Sequence, residues 1–366
     1  MMLNKNVIVN GGYKSGKTFD IIMPMVDELI KENKSLLFID KNYEYYGNYV
    51  DKLKEEGYEI KVLNFDTPMY SDSINVLSVP YKYYKEGDKD KAYEIVSAIV
   101  STIFPKDVNN DPFWTDSAIS LVRGYILKLF ELAKEEEINF LSVSRFLDTL
   151  DTENINEISE FLLSGDNDAA KRDLTSILSA PYETRASIIS VTRIHINKLV
   201  NYENKLNVIS TEEFKLSDFF ITTERIAINK KCALFLVPKM EDSTNELVNM
   251  IIAEAYQLCK NQSWYFILDN FDMLGELNNF KGMFLSSGYR NIYMVIGTRD
   301  IDSLINKYGK EILQVCDLKD SKDLNGSDMD KMQADFKMGA TDLKVDLPIL
   351  KKNEIKTFDI LDAMSK

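Results

Sequence analysis

The chain has 366 residues, enough for two domains or for one domain with a large insertion, and its 45% hydrophobic, 28% charged composition allows a substantial buried core. With 44 Lys and Arg against 58 Asp and Glu the net charge is −14, which excludes a protein that coats nucleic acid through an overall basic surface, though not one with a local basic pore. Three scattered cysteines without CxxC spacing (Cys232, Cys259, Cys316) and a single histidine, His195, exclude a complete disulfide framework and argue against most zinc sites.

Along the chain, residues 6–9 form a short apolar run, followed by a Gly-rich turn and a helical stretch over 17–33. Residues 35–40 (SLLFID) read as a fully apolar strand ending in an acid, and 59–65 as a third strand. Continuous apolar strands separated by helices predict a parallel sheet covered on both faces. From 83 to 205 the apolar residues recur at helical spacing, as in Ile119, Val122, Ile126, Leu129 and Phe130, and no strand is predicted. Strands return at 232–237 (CALFLV), 263–269 (SWYFILD) and 291–297 (NIYMVIG), with a helix over 244–260. Residues 317–341 are charged and aperiodic and read as a loop or short helix pair, with a last strand expected at 347–350. The predicted fold is α/β, a nucleotide-binding domain in two parts (1–82 and 206–366) interrupted by an all-α insertion (83–205). No apolar run reaches 18 residues and a β-like run begins almost at once, so the sequence reads as a soluble cytoplasmic chain without a signal peptide.

Gly11-Gly12-Tyr13-Lys14-Ser15-Gly16-Lys17-Thr18 fits G-x-x-x-x-G-K-[ST] in full, between a predicted strand and a predicted helix. The glycines let main-chain N–H groups point inward at phosphate oxygens, and the helix that follows offers its positive end to the same anion. Lys17 is expected to reach the β and γ phosphates and Thr18 to ligate Mg²⁺. A second strand must bring a carboxylate to the metal. Asp40 and Asp269 are the candidates, and Asp269 is preferred because its strand is more hydrophobic and distant in sequence, as when the two strands are neighbours in the sheet. Many P-loop ATPases place a Glu directly after this Asp to polarise the attacking water. Here the residue is Asn270, which orients a water but accepts no proton. Asp272 either supplies the missing carboxylate or is a solvated loop acid.

These segments, in this order, resemble the type IV secretion coupling proteins, the TraG-like conjugative DNA-transfer ATPases. Besides the P-loop, the similarity runs through Pro24 in the first helix, through 36–40 followed by Lys41 and Glu44, and through 73–77. It continues in Asp111-Pro112-Phe113-Trp114, in 234–238 with Glu241-Asp242-Ser243-Thr244, in 266–275 (FILDNFDMLG), in Tyr308-Gly309 and in 347–355. The resemblance implies a RecA-like P-loop NTPase fold, a ring of six copies, and ATP with Mg²⁺ used to move DNA or a protein–DNA substrate toward a secretion channel. It also implies a membrane anchor, here in a separate partner or in a segment this sequence lacks, which would hold the chain at the inner face of the membrane. Against the family pattern, the Walker B Glu is Asn270, the sensor Gln-Ser aligns with Arg299-Asp300, and the Arg-Gly before that strand becomes Tyr289-Arg290. Lys17, Asp269, Asn270 and Arg299 are therefore the expected catalytic set, with Arg299 or Arg290 as candidate fingers across a subunit interface. Losing a general base costs about 10²–10⁴-fold in rate and losing an arginine finger about 10³–10⁵. Tight binding with slow turnover is expected, or an ATP-binding regulatory or structural role without hydrolysis.

The insertion carries 14 basic and 21 acidic residues, and 131–168 alone has 2 against 11. Such a surface repels DNA phosphates within a Debye length of about 8 Å and steers a basic protein toward it. The resemblance places substrate recognition in this unit, so a basic relaxase or accessory protein is the expected partner, ahead of naked DNA. His195 reads as structural, and Trp114 as an anchor of the helical core. Tyr43, Tyr45, Tyr46 and Tyr49 read as packing or subunit-contact residues, with base stacking as the alternative.

Overall fold

The computed structural model describes residues 4–104, 111–150, 155–220, 230–239, 244–259, 262–277, 279–321 and 347–365. Two compact units emerge, one from 1–72 with 216–349 and the other from 73–215 with 350–366.

The first unit is built on a seven-stranded sheet in the order β3-β4-β2-β5-β6-β1-β7, every pair parallel. The strands are β1 (Asn6–Asn10), β2 (Ser35–Ile39), β3 (Glu59–Asn64), β4 (Cys232–Val237), β5 (Trp264–Leu268), β6 (Ile292–Thr298) and β7 (Cys316–Asp320). β2, β4 and β5 are buried at every position, which is why they read as unbroken apolar runs rather than as alternating ones. Phe38 of β2 stacks on Phe235 of β4 with ring centroids 4.7 Å apart, and Tyr45 lies over Phe38 at 5.3 Å. Tyr43, Tyr45, Tyr46 and Tyr49 are all buried in this core, so they pack and offer no face for base stacking.

Two expectations change here. Residues 316–320 are neither loop nor helix but the edge strand β7, paired with β1 in the register Asn6↔Cys316 to Asn10↔Asp320. The sequence Cys-Asp-Leu-Lys-Asp is mostly exposed, as suits a sheet edge, and carries no apolar signal to betray it. Residues 347–350 form no strand; Leu347 is instead buried in the core of the sheet unit. Expectations for 241–243 and 322–341 lie outside the described residues.

The second unit is helical. Its longest helix, Pro112–Leu132, starts with Asp111 accepting a hydrogen bond from the Phe113 N–H (2.9 Å) and with proline at the first position, two favourable start signals. Tyr125 stacks on Phe146 at 3.6 Å. Gly124 brings the same helix against Leu174 and Asp173, where a Cβ would leave no room. Arg123 then grips Asp173 through two bonds of 2.6 Å. Trp114 is not the core anchor expected of it: it is only half-buried, edge-to-face with the exposed Phe113, because it sits in the first turn of the helix, ahead of its buried face. His195 is half-buried 5.0 Å from the Phe104 ring, and burial followed by the Lys198 charge holds its pKa below the usual value.

Candidate functional site

The candidate site lies where β1, β2, β5 and β6 end, the carboxyl edge at which open parallel sheets bind ligands. After β1 the chain turns through Lys14 (φ 60°) and Gly16 (φ 77°), left-handed conformations that fold the loop back on itself. The Gly11 N–H donates to the Thr298 carbonyl (3.1 Å), and a Cβ on Gly11 would overlap the hydroxyls of Ser15 and Ser321. A helical turn of π type begins at Lys17 and runs to Ile22. Lys17 and Ser15 are buried, whereas Tyr13 is 76% exposed. Residues 13–18, with Lys41, Asn42, Glu44, Asn270 and Arg299, line a groove of about 370 Å³.

Thr18 Oγ1 donates to Asp269 Oδ2 at 2.6 Å. Residues 251 positions apart are thus brought into one site. The strands that carry them are not neighbours, contrary to expectation: β6 lies between β1 and β5. The reach across β6 depends on Gly297, since a Cβ there would overlap Asp269 Oδ1. Asp269 is buried and also accepts from the Tyr45 hydroxyl (3.0 Å) and from the Asn270 N–H (2.8 Å). Asp40, the other candidate acid, is fully buried at the start of the next helix and accepts the N–H groups of Tyr45 (2.9 Å) and Tyr46 (2.7 Å). Burial pushes its pKa up to about 7 despite those bonds, so it serves as a helix cap rather than as a second acid of the groove.

Asn270 takes up a left-handed conformation (φ 53°), which Asn tolerates better than Glu. Asp272 accepts from Thr298 Oγ1 (2.6 Å) and from the Arg299 N–H (2.7 Å). Asp272 is exposed, in keeping with the reading as a solvated loop acid, and through these two bonds it also braces the end of β6. Arg299 is exposed at the groove, its guanidinium 5.8 Å from the centre of the Tyr13 ring. Arg290 precedes β6, at the opposite edge of the sheet from the P-loop, donates to the Gln257 carbonyl (2.8 Å) and packs 5.0 Å from the centre of the Tyr256 ring. Within this chain it is a structural residue.

Sequence reasoning missed four contributors. Gly297 was visible only as a glycine closing an apolar run. Tyr45 was grouped with its neighbours as packing, although its hydroxyl reaches Asp269. Ser321, just beyond β7, bonds Ser15 Oγ at 2.6 Å, and nothing local in the sequence marks it. Glu44, named above only within the resemblance and given no role there, lines the groove from the end of the β2 loop.

The sequence profile of the type IV secretory system conjugative DNA transfer family matches residues 2–314. Among solved structures, the bacterial conjugative coupling protein TrwBdeltaN70 in complex with sulphate is similar at 13% identity with a TM-score of 0.51, covering 85% of this chain and 66% of that one. The plasmid coupling protein TrwB in complex with ADP and Mg²⁺ is similar at 12% identity with a TM-score of 0.52, covering 85% and 67%. At such identities the likeness is one of fold, and the chain spans about two thirds of the length of these structures. No curated protein sequence matches it. Among the described residues no helix is long and apolar enough to cross a membrane.

Proposed function

The chain belongs to the type IV secretory system conjugative DNA transfer family, and from that premise we propose that it binds Mg-ATP in the groove above β1 and couples the bound state to recruitment of a transfer substrate. The observation that carries this reading is the 2.6 Å bond between Thr18 and Asp269, which sets a hydroxyl and a buried carboxylate side by side at the foot of the P-loop. That pair is a donor set suited to a small hard cation, which takes oxygen ligands and keeps several of its waters. Lys17 and the loop N–H groups would hold the phosphates, and Thr18 and Asp269 the metal. Bound there, Mg²⁺ neutralises charge on the phosphates and orients them for in-line attack. TrwB with ADP and Mg²⁺ supports the same ligand here.

Lys14, Lys17, Lys41 and Arg299 make the groove strongly cationic, and this favours tight anion binding. Asn270 stands where a proton acceptor is common, so turnover is slow relative to that binding. The alternative, nucleotide as a regulatory or structural ligand, rests on the same residue. Assembly as a ring of six and a DNA or protein–DNA substrate are part of the same proposal, suggested by the family. The acidic helical unit, read as an insertion, favours a basic relaxase or accessory protein as the recruited species, and in the ring Arg299 is the better placed of the two arginines to face a neighbouring copy.

Equilibrium titration with a fluorescent ATP analogue, with and without Mg²⁺, tests the reading. Wild type should bind in a Mg²⁺-dependent manner and Lys17→Ala should weaken binding by about 10²-fold or more. Equal binding by the two proteins would refute it. Phosphate release with and without DNA separates a motor from a regulatory binder.

A further inference from the structure

We infer that Glu44, at the end of the β2 loop, is the carboxylate that accepts the proton of the attacking water, a position that sequence order assigns to residue 270. The inference rests on the Mg-ATP reading above and extends it to the chemistry.

Three observations converge on Glu44. It lines the same groove as Lys17, Thr18 and Asn270. Its carboxylate has no hydrogen-bond or ion-pair partner among the described residues, whereas Asp40, Asp269 and Asp272 have theirs committed to Tyr45 and Tyr46, to Thr18, Tyr45 and Asn270, and to Thr298 and Arg299. And the chain expends backbone strain to put it there. Asn42 (φ 61°) and Tyr43 (φ 60°) are consecutive left-handed residues, uncommon for a tyrosine, immediately before Glu44 opens the helix Glu44–Glu55. The buried Asp40 carboxylate and the buried Tyr43 ring hold that turn in place.

The groups facing Glu44 suit the role. Burial, and then the negative charge of Asp269, push its pKa up to about 6, while Lys41 and Lys17 oppose the rise. The shift is toward the basic side of the ordinary Glu range, the direction a proton acceptor needs. In the step itself a water oxygen bonds to the γ-phosphorus and the bond to the β,γ-bridging oxygen breaks, leaving its electron pair on the diphosphate. The water proton passes to a Glu44 oxygen and then to solvent. Asn270 orients the water. A carboxylate that follows β2, the third strand from β1, can do this although it lies far from Asp269 in sequence, because what matters is its place in the groove.

The test uses the full chain in single-turnover hydrolysis and in ADP binding. Glu44→Gln should lower the hydrolysis rate by about 10²-fold or more. ADP affinity should rise about fivefold, since a like charge has left the anion's surroundings. Asn270→Glu should raise the rate, and in that background Glu44→Gln should cost little, the non-additivity expected of two groups that can do one job. A Glu44→Gln protein with wild-type rate overturns the inference, as does one whose Mg²⁺ requirement for binding disappears, because Glu44 would then hold the metal. Wild type with Lys17-dependent binding but no turnover overturns it while leaving the binding site standing. Absence of Mg²⁺-dependent binding in wild type defeats the underlying reading instead. Circular dichroism and thermal melts identify a variant that fails to fold, and Glu44→Asp then serves in its place, with an expected rate between those of wild type and Gln.

Discussion

Replacing Gly297 by alanine tests the crossing of β6 directly. The new methyl group would occupy the space of Asp269 Oδ1 and approach Ile22 Cδ1 to 3.2 Å. Asp269 is buried and accepts three bonds, from Thr18 (2.6 Å), Asn270 (2.8 Å) and Tyr45 (3.0 Å). Hydrogen bonds to a charged group contribute about 1.5–3 kcal/mol each, and a displaced carboxylate keeps one of them at best. The expected loss of stability is about 3–5 kcal/mol, in the range seen when a buried charge loses its partners. Trp264 on β5 reports this unit by fluorescence once Trp114, the only other tryptophan, is replaced by phenylalanine. Urea unfolding of that background with and without Gly297→Ala gives the midpoint and slope. Gly288→Ala, where a Cβ meets nothing within 4 Å, is the control and should change stability by less than about 0.5 kcal/mol. A loss below about 1 kcal/mol in Gly297→Ala, together with intact Mg²⁺-dependent nucleotide binding, would refute the packing argument.

Tyr45→Phe keeps the ring over Phe38 but removes one bond to Asp269, so unfolding should shift by about 1.5 kcal/mol with little change in packing. Asp173→Ala leaves Arg123 half-buried without its carboxylate and should destabilise the helical unit by about 2–4 kcal/mol, read from thermal melts. Glu254 is buried with neither oxygen hydrogen-bonded among the described residues, and burial raises its pKa to about 8. The folded value lies above the unfolded one, so its contribution to stability is fully present below about pH 4.5 and is lost as pH rises toward about 8. By pH 7 the loss is about 3 kcal/mol. Stability measured from pH 5 to 8 should therefore fall, and Glu254→Gln should flatten that slope; Asp40, raised to about 7 by burial, keeps part of it. An identical slope in the variant would contradict the assignment.

Much of the fold is legible in the sequence because the sheet is parallel and covered on both faces. Central strands such as 36–39 and 264–268 must then be apolar at every position, and a run of that kind is visible without knowing its neighbours. The P-loop is equally local, since its glycines and left-handed turns are set by adjacent residues. β7 was invisible for the converse reason. An edge strand needs only one partner and little burial, so Cys316–Asp320 looks like a charged loop until β1 lies beside it.

The sequence alone pointed to the phosphate-binding loop, the alternation of strand and helix, the acidic helical stretch and the pairing of Thr18 with a distant aspartate as the chemistry to look for. Tertiary structure decided which strand stands between Thr18 and Asp269, that Gly297 clears the way, that Asp40 caps a helix, that Glu44 lines the groove and that Ser321 bonds the Ser15 hydroxyl of the P-loop. The division follows from range. Backbone conformation and burial pattern are written in neighbouring residues, whereas the partner of a buried carboxylate is fixed by strand order, which couples positions hundreds of residues apart and leaves no local trace.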